Sequence, residues 1–148
     1  MESKINLLKL ITKIMMIWLT DKLVGFLMIG YYPDLEYAKK AFGEEDEIPD
    51  YIPGSYLVWR LMIDQEYQGK GYGKEALRLA LEYIKTKPCG DAECFWLSYE
   101  PENKAARELY SSFGFEEKEM PKGWDEVPAV LKLWFVIDKS RHWDEPVC

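Results

Sequence analysis

The chain has 148 residues, of which 48% are hydrophobic and 30% charged, with a net charge of −7. That length suits a single domain spanning residues 1–148 with a substantial core. The acidic balance argues against a nucleic-acid-binding face and suits cationic small molecules, and no apolar run approaches the roughly 20 residues of a membrane span, so no membrane partner is expected.

The N-terminus is apolar but is interrupted by Lys4, Lys9 and Lys13, with no small-residue cleavage site behind it. The cysteines, Cys89, Cys94 and Cys148, are odd in number and lack metal-ligand spacing. Reduced thiols in a cytoplasmic protein are the simplest account, with no metal site. His142, the sole histidine, stands in a polar tail without an evident partner, so no catalytic role is expected for it.

Ile5 to Ile11 has partly helical apolar spacing and predicts a short helix. Ile14 to Leu19 and Leu23 to Gly30 flank the polar turn Thr20-Asp21-Lys22, which predicts a hairpin whose second strand is buried on both faces. Tyr31 to Pro53 is rich in loops, with a short helix around Leu35 to Phe42 and an acidic run Glu44 to Glu47. Tyr56 to Ile63 is the next strand and Gly71 to Lys85 a helix, with Ala76, Leu77, Ala80, Leu81 and Ile84 on one face. A strand over Glu93 to Tyr99, a helix over Asn103 to Phe113 stopped by Gly114, and strands over Phe115 to Met120 and Ala129 to Ile137 complete a core at 14–137. Residues 138–148 form a polar tail. Strands alternating with helices and flanked by hairpins predict a mixed α/β (α+β) domain with one central sheet.

The segment Gln68-Gly69-Lys70-Gly71-Tyr72-Gly73 joins a strand to a helix. Its glycines permit a tight turn with exposed N–H groups, and the helix behind adds unpaired N–H groups and its positive dipole end. Together these make a phosphate seat. It is not a Walker A loop, because Glu75 follows Lys74, and its glycine spacing is not that of a dinucleotide fingerprint. A second block runs from Asn103, a good N-cap, to Tyr110 two helical turns along the same face, and on to Phe113-Gly114-Phe115.

These two blocks in this order resemble the GNAT superfamily of acetyl-CoA-dependent N-acetyltransferases. The segment Val58 to Asp64, with Val24-Gly25-Phe26 ahead of it, looks most like the bacterial spermine/spermidine acetyltransferase branch. The resemblance implies a GNAT-like central mixed, mostly antiparallel sheet flanked by helices, and acetyl-CoA as cosubstrate. It places the coenzyme A pyrophosphate on Gln68, Gly69, Lys70, Gly71, Tyr72 and Gly73. Leu61 and Ile63 would pair with the pantetheine arm, an N–H near Met62 or Ile63 would polarise the thioester carbonyl, and Asn103 would contact the arm. The strand Phe95 to Tyr99 would splay away to open a slot.

By the same resemblance Tyr110 is the general acid for the departing thiolate. An amine with a pKa of about 10 must also lose a proton before it attacks. The acid that polyamine acetyltransferases often carry on the preceding strand is replaced here by Trp59. Glu100 is the preferred substitute base, with Tyr56, Glu36 or a water wire as alternatives. The family's usual first strand and two helices have no counterpart ahead of Ile14, which leaves an open sheet edge and predicts a homodimer.

The expected activity is therefore acetyl transfer from acetyl-CoA to a primary amine, such as the polyamine spermidine, by direct attack in a ternary complex. Protein amines and aminoglycoside-type drugs are competing acceptors. A non-catalytic acyl-CoA-binding or regulatory module is the alternative of a different class.

Overall fold

The computed structural model describes residues 13–133. The helix expected over Ile5–Ile11, the end of the last strand up to Ile137, and the tail with His142 lie outside the described residues. Six strands form one sheet in the order β1-β2-β3-β4-β6-β5. Strands β1 (Lys13–Leu19) and β2 (Lys22–Tyr32) are the expected hairpin, and β3 (Ser55–Ile63) pairs antiparallel with β2. Strand β4 (Cys94–Tyr99) runs parallel to β3 and antiparallel to β6 (Val127–Lys132), with β5 (Glu116–Glu117) outermost. This is the mixed, mostly antiparallel sheet that the family resemblance implies.

Among the described residues three helices flank it: α1 (Leu35–Phe42), α2 (Tyr72–Lys85) and α3 (Lys104–Ser112). Asp34 caps α1 by accepting from the Tyr37 N–H at 2.8 Å, and Gly43 closes its C-terminus. The stripe Ala76, Leu77, Ala80, Leu81 and Ile84 turns α2 onto Leu27, Val58, Phe95 and Leu97 of the sheet. Each fully buried leucine or isoleucine contributes about 1.5–3 kcal/mol, so burial of this stripe outweighs the modest helix propensity of its Gly73. Helix α3 joins the same cluster through Ala106, Leu109 and Tyr110. On the opposite face α1 covers a smaller cluster of Tyr32, Leu57, Trp96 and Val130.

Two expectations change. Strand β2 is not buried on both faces along its length: Leu27 and Ile29 are in the core, whereas Leu23 is exposed and Phe26 and Met28 are half-buried. Helix α1 reaches only one end of that second face. Strand β5 is also two residues long instead of running to Met120. Lys118 still donates to the Pro128 carbonyl at 2.8 Å, but Pro128 has no N–H to return the bond, and the ladder stops there.

The sheet is broken once in a way that matters. In β2, Met28 pairs with Arg60 and Ile29 with Val58, so Trp59 is an extra residue without a partner. Val58 and Leu61 both pack toward α2, three residues apart, and Trp59 and Arg60 lie between them. A bulge of this kind re-aims a side chain and ends regular pairing. No helix among the described residues is long and apolar enough to cross a membrane.

Candidate functional site

Strands β3 and β4 are paired only at Ser55–Cys94, Tyr56–Phe95 and Leu57–Trp96. Past the bulge at Trp59 they diverge, as the family resemblance implies for the strand Phe95 to Tyr99. The backbone of Leu61, Met62 and Ile63 therefore pairs with β2 on one edge and faces an opening on the other. Both helices that follow these strands, α2 and α3, begin at this end of the sheet.

The glycine turn is built from the end of β3. Asp64 donates its N–H to the Val24 carbonyl at 2.7 Å and caps the short 3-10 turn Gln65–Tyr67 by accepting from Glu66. Gln68 donates its side-chain amide to the Ile63 carbonyl at 2.9 Å, which clamps the turn against the strand. Gly69 and Gly71 have φ of 75° and 85°, the left-handed region that glycine enters without strain. Gly71 is the N-cap of α2, and no side chain caps that end. The first N–H groups of α2, from Tyr72 onward, are thus left for an anion. Lys70 adds a positive charge and lies 5.4 Å from the Tyr67 ring centre. A Cβ on Gly73 would touch only Ile63 Cγ1, at an ordinary 3.8 Å, so internal packing does not require glycine there.

Asn103 is the N-cap of α3 and accepts from the Ala106 N–H at 3.0 Å, which uses its side-chain oxygen and not the two donors of its NH2 group. Tyr110, on the inner side of α3, stacks on Tyr99 at 5.7 Å and meets Phe115 edge-on at 5.9 Å. Burial raises its phenol pKa, so it is protonated at neutral pH. Tyr99 donates to Glu117, which also accepts from Arg107 at 2.7 Å, and this network ties α3 to β5.

The candidate bases are not brought together. Glu100 is exposed at the end of β4 and does not line either of the two cavities described below. Glu36 pairs with Lys40 at 2.8 Å on the exposed side of α1. The Tyr56 hydroxyl donates to the Gly90 carbonyl at 2.7 Å and accepts from the Cys89 N–H, and burial pushes its pKa up to about 12. It serves the loop after α2.

On the α1 side of the divergence lies a cavity of about 390 Å³, lined from both separated strands by Leu57, Val58 and Trp59 of β3 and by Trp96 and Ser98 of β4. Its remaining wall is aromatic. Trp124 stacks between Phe42 and Trp96, with both centroid distances 5.9 Å, and Tyr32 and Tyr37 close the side. Among the described residues Glu126 is its sole carboxylate. The Ser98 hydroxyl donates to Glu126 Oε2 at 2.8 Å, and no lysine or arginine among the described residues pairs with that carboxylate. Phe42 and Trp124 also border a second, polar groove of about 800 Å³ that carries Glu45, Asp46, Glu47 and Glu119.

Sequence reasoning missed Ser98 and Glu126. Neither lies in a motif, and they meet only because β6 pairs with β4 in a register that sets Ser98 opposite Pro128. The aromatic residues Trp96 and Trp124 carried a signal in composition alone, since 15% of the chain is aromatic. Among the described residues no group of three or more His, Cys, Asp or Glu side chains is arranged to hold a metal ion.

Comparison with known proteins agrees with this geometry. An uncharacterized N-acetyltransferase of Methanocaldococcus jannaschii is 37% identical over 67 residues, 45% of this chain and 28% of that protein. The spermine/spermidine N(1)-acetyltransferase of Bacillus subtilis is 32% identical over 95 residues, 64% of this chain and 53% of that protein. The chain thus matches about half or less of these curated relatives. In fold it resembles the PaiA N-acetyltransferase of Thermoplasma acidophilum in complex with coenzyme A, with a TM-score of 0.60 at 17% identity over 87% of this chain and 67% of that one. The model of the Acetyltransferase (GNAT) family matches residues 8–115, and the chain belongs to that family.

Proposed function

We propose that this chain is an acetyl-CoA-dependent N-acetyltransferase that acts on a small primary amine, with a polyamine as the acceptor class. The observation that carries this reading is the divergence of β3 from β4 beyond Leu57 and Trp96, which ends at the uncapped N-terminus of α2. An extended acyl-pantetheine arm fits such an opening as an added strand, with its diphosphate on the turn Gln68 to Gly73. Leu61, Met62 and Ile63 supply backbone groups along the arm, Asn103 touches it from α3, and Tyr110 protonates the departing thiolate. Family membership and the coenzyme A complex of the fold neighbour support the cosubstrate. The name of the Bacillus relative and the acidic groove beside the aromatic cavity support a polyamine.

The test is to incubate the purified chain with acetyl-CoA and spermidine, then with a panel of mono- and diamines, and to follow free thiol. Amine-dependent thiol release with formation of the acetylated amine is expected. Trp59 favours a second reading, a non-catalytic acyl-CoA-binding module, because it stands where the resemblance implies an acid. Coenzyme A binding without thiol release across the panel would select that reading.

We also read the chain as one domain that acts as a homodimer. Edge strand β1 carries the exposed side chains of Ile14, Met16 and Trp18, with Leu23 of β2 beside them, an apolar face that a second copy would cover. Light scattering at micromolar concentration should give twice the chain mass, and a monomer would refute the dimer.

A further inference from the structure

We propose that Glu126 is the residue that receives the acceptor amine and its proton, that Ser98 positions it, and that the cavity around it is the amine site. This rests on the acetyltransferase reading and deepens it. Glu126 is a half-buried carboxylate in a largely aromatic cavity, and its one described hydrogen bond, from Ser98, goes to Oε2. Oε1 is left for a ligand. A partly buried carboxylate is stabilised by a cation, and among the described residues none is present. An ammonium group completes this pair, and the faces of Trp96 and Trp124 suit the same charge. Lining residues come from both strands that diverge, so an amine held here stands beside the opening assigned to the thioester.

The proton balance closes. The ammonium gives one proton to Glu126, and its lone pair attacks the thioester carbonyl. In the tetrahedral intermediate the nitrogen still carries an extra proton. The C–S bond breaks, the thiolate takes the Tyr110 proton, and the phenolate is restored by the nitrogen proton passed through the site. Products are the amide and coenzyme A thiol, and Glu126 releases its proton to water. Among the described residues the other titratable groups on the cavity wall are the phenols of Tyr32 on β2 and Tyr37 on α1. Burial raises both, so they are neutral across the working range. Strands β3 and β4 contribute no titratable side chain to this wall.

Three measurements on the full chain test this, with Glu126→Gln as the main variant and Ser98→Ala and Ser98→Thr beside it. First, titrating spermidine against tryptophan fluorescence reads the cavity directly. Wild type should saturate, Glu126→Gln should bind about tenfold more weakly, and coenzyme A affinity should not change. Second, thiol release by Glu126→Gln should fall about a hundredfold near neutral pH and recover as pH rises toward the pKa of the amine itself. Third, Ser98→Ala should share part of this loss, and Ser98→Thr should restore it. Equal spermidine affinity in wild type and Glu126→Gln, or a wild-type pH profile in that variant, would overturn the assignment while leaving the acetyltransferase reading intact. Absence of thiol release from wild type with every amine would overturn both. Loss of coenzyme A affinity in Glu126→Gln would mark a fold defect and refute a local role.

Discussion

Trp96 donates its indole N–H to Ser55 Oγ at 3.0 Å, and Ser55, which has no exposed surface, in turn donates to the Ile52 carbonyl at 2.5 Å. The polar edge of the indole is thus spent inward, and its face is presented to the aromatic cavity. Ser55→Ala removes the acceptor and leaves a buried N–H unpaired, which costs about 1–3 kcal/mol. The expected result is a lower melting temperature together with a raised KM for the amine, because Trp96 loses the bond that fixes its tilt. A destabilised protein with an unchanged amine KM would show that the indole orientation is set by its ring contacts with Tyr32 and Trp124 alone.

Gly73 separates two reasons for a glycine. Within the protein its Cβ would meet only Ile63 at ordinary contact distance, and it lies in the first turn of α2 with no positive φ. Gly73→Ala should therefore stabilise the fold by about 0.4–1 kcal/mol, because alanine leaves the unfolded chain fewer conformations to lose. If the diphosphate seats on this turn, the added methyl should at the same time weaken coenzyme A about tenfold or more, a loss of about 1.4 kcal/mol. Calorimetric titration with coenzyme A and a thermal melt of the same sample measure both. A rise in stability with unchanged coenzyme A affinity would remove the turn from the cofactor site. Gly71→Ala provides the contrast, since φ of 85° there makes a side chain strained and should lower stability.

Local features were legible in the sequence and pairwise ones were not. The helix over Leu35 to Phe42, the capping by Asn103, the apolar stripe of α2 and the turn from Gln68 to Gly73 follow from spacing within one segment. The divergence of β4 was anticipated only through the family resemblance. Its local cause, the unpaired Trp59, depends on the register between β2 and β3, which no single strand reveals. Glu126 is a further step removed, because its hydrogen bond to Ser98 needs the register between β4 and β6 as well. Glu100 stands at a recognisable strand end, which makes it the natural candidate in the sequence, and it is exposed there.

Several phenols make stability sensitive to alkali. Burial pushes Tyr32, Tyr51 and Tyr56 up to about 12 from an ordinary value of 10.0. In the unfolded chain they ionise first, so the folded state binds more protons above pH 10. Their contribution is fully present below about pH 10 and is lost as pH rises through about 12. Melting temperature should fall across that window, and the part of the tyrosinate absorbance that is lost in the Tyr32→Phe, Tyr51→Phe and Tyr56→Phe variants should rise with unfolding instead of ahead of it. Ionisation of that part in a fully folded protein near pH 10 would contradict the burial assigned to these rings.

Tyr110 carries the last prediction. Its phenol is raised by burial between Tyr99 and Phe115, and its ring packing does not need the hydroxyl. Tyr110→Phe should fold with near wild-type stability and bind coenzyme A normally. Thiol release should drop about a hundredfold, within the usual worth of a positioned general acid. A proton donor fails when it ionises, so the wild-type rate should decline only above pH 10, and that limb should disappear in the phenylalanine variant. Stopped-flow thiol detection with saturating spermidine gives the profile. Full turnover by Tyr110→Phe would assign thiolate protonation to water, and a wild-type decline well below pH 10 would assign it to a different acid.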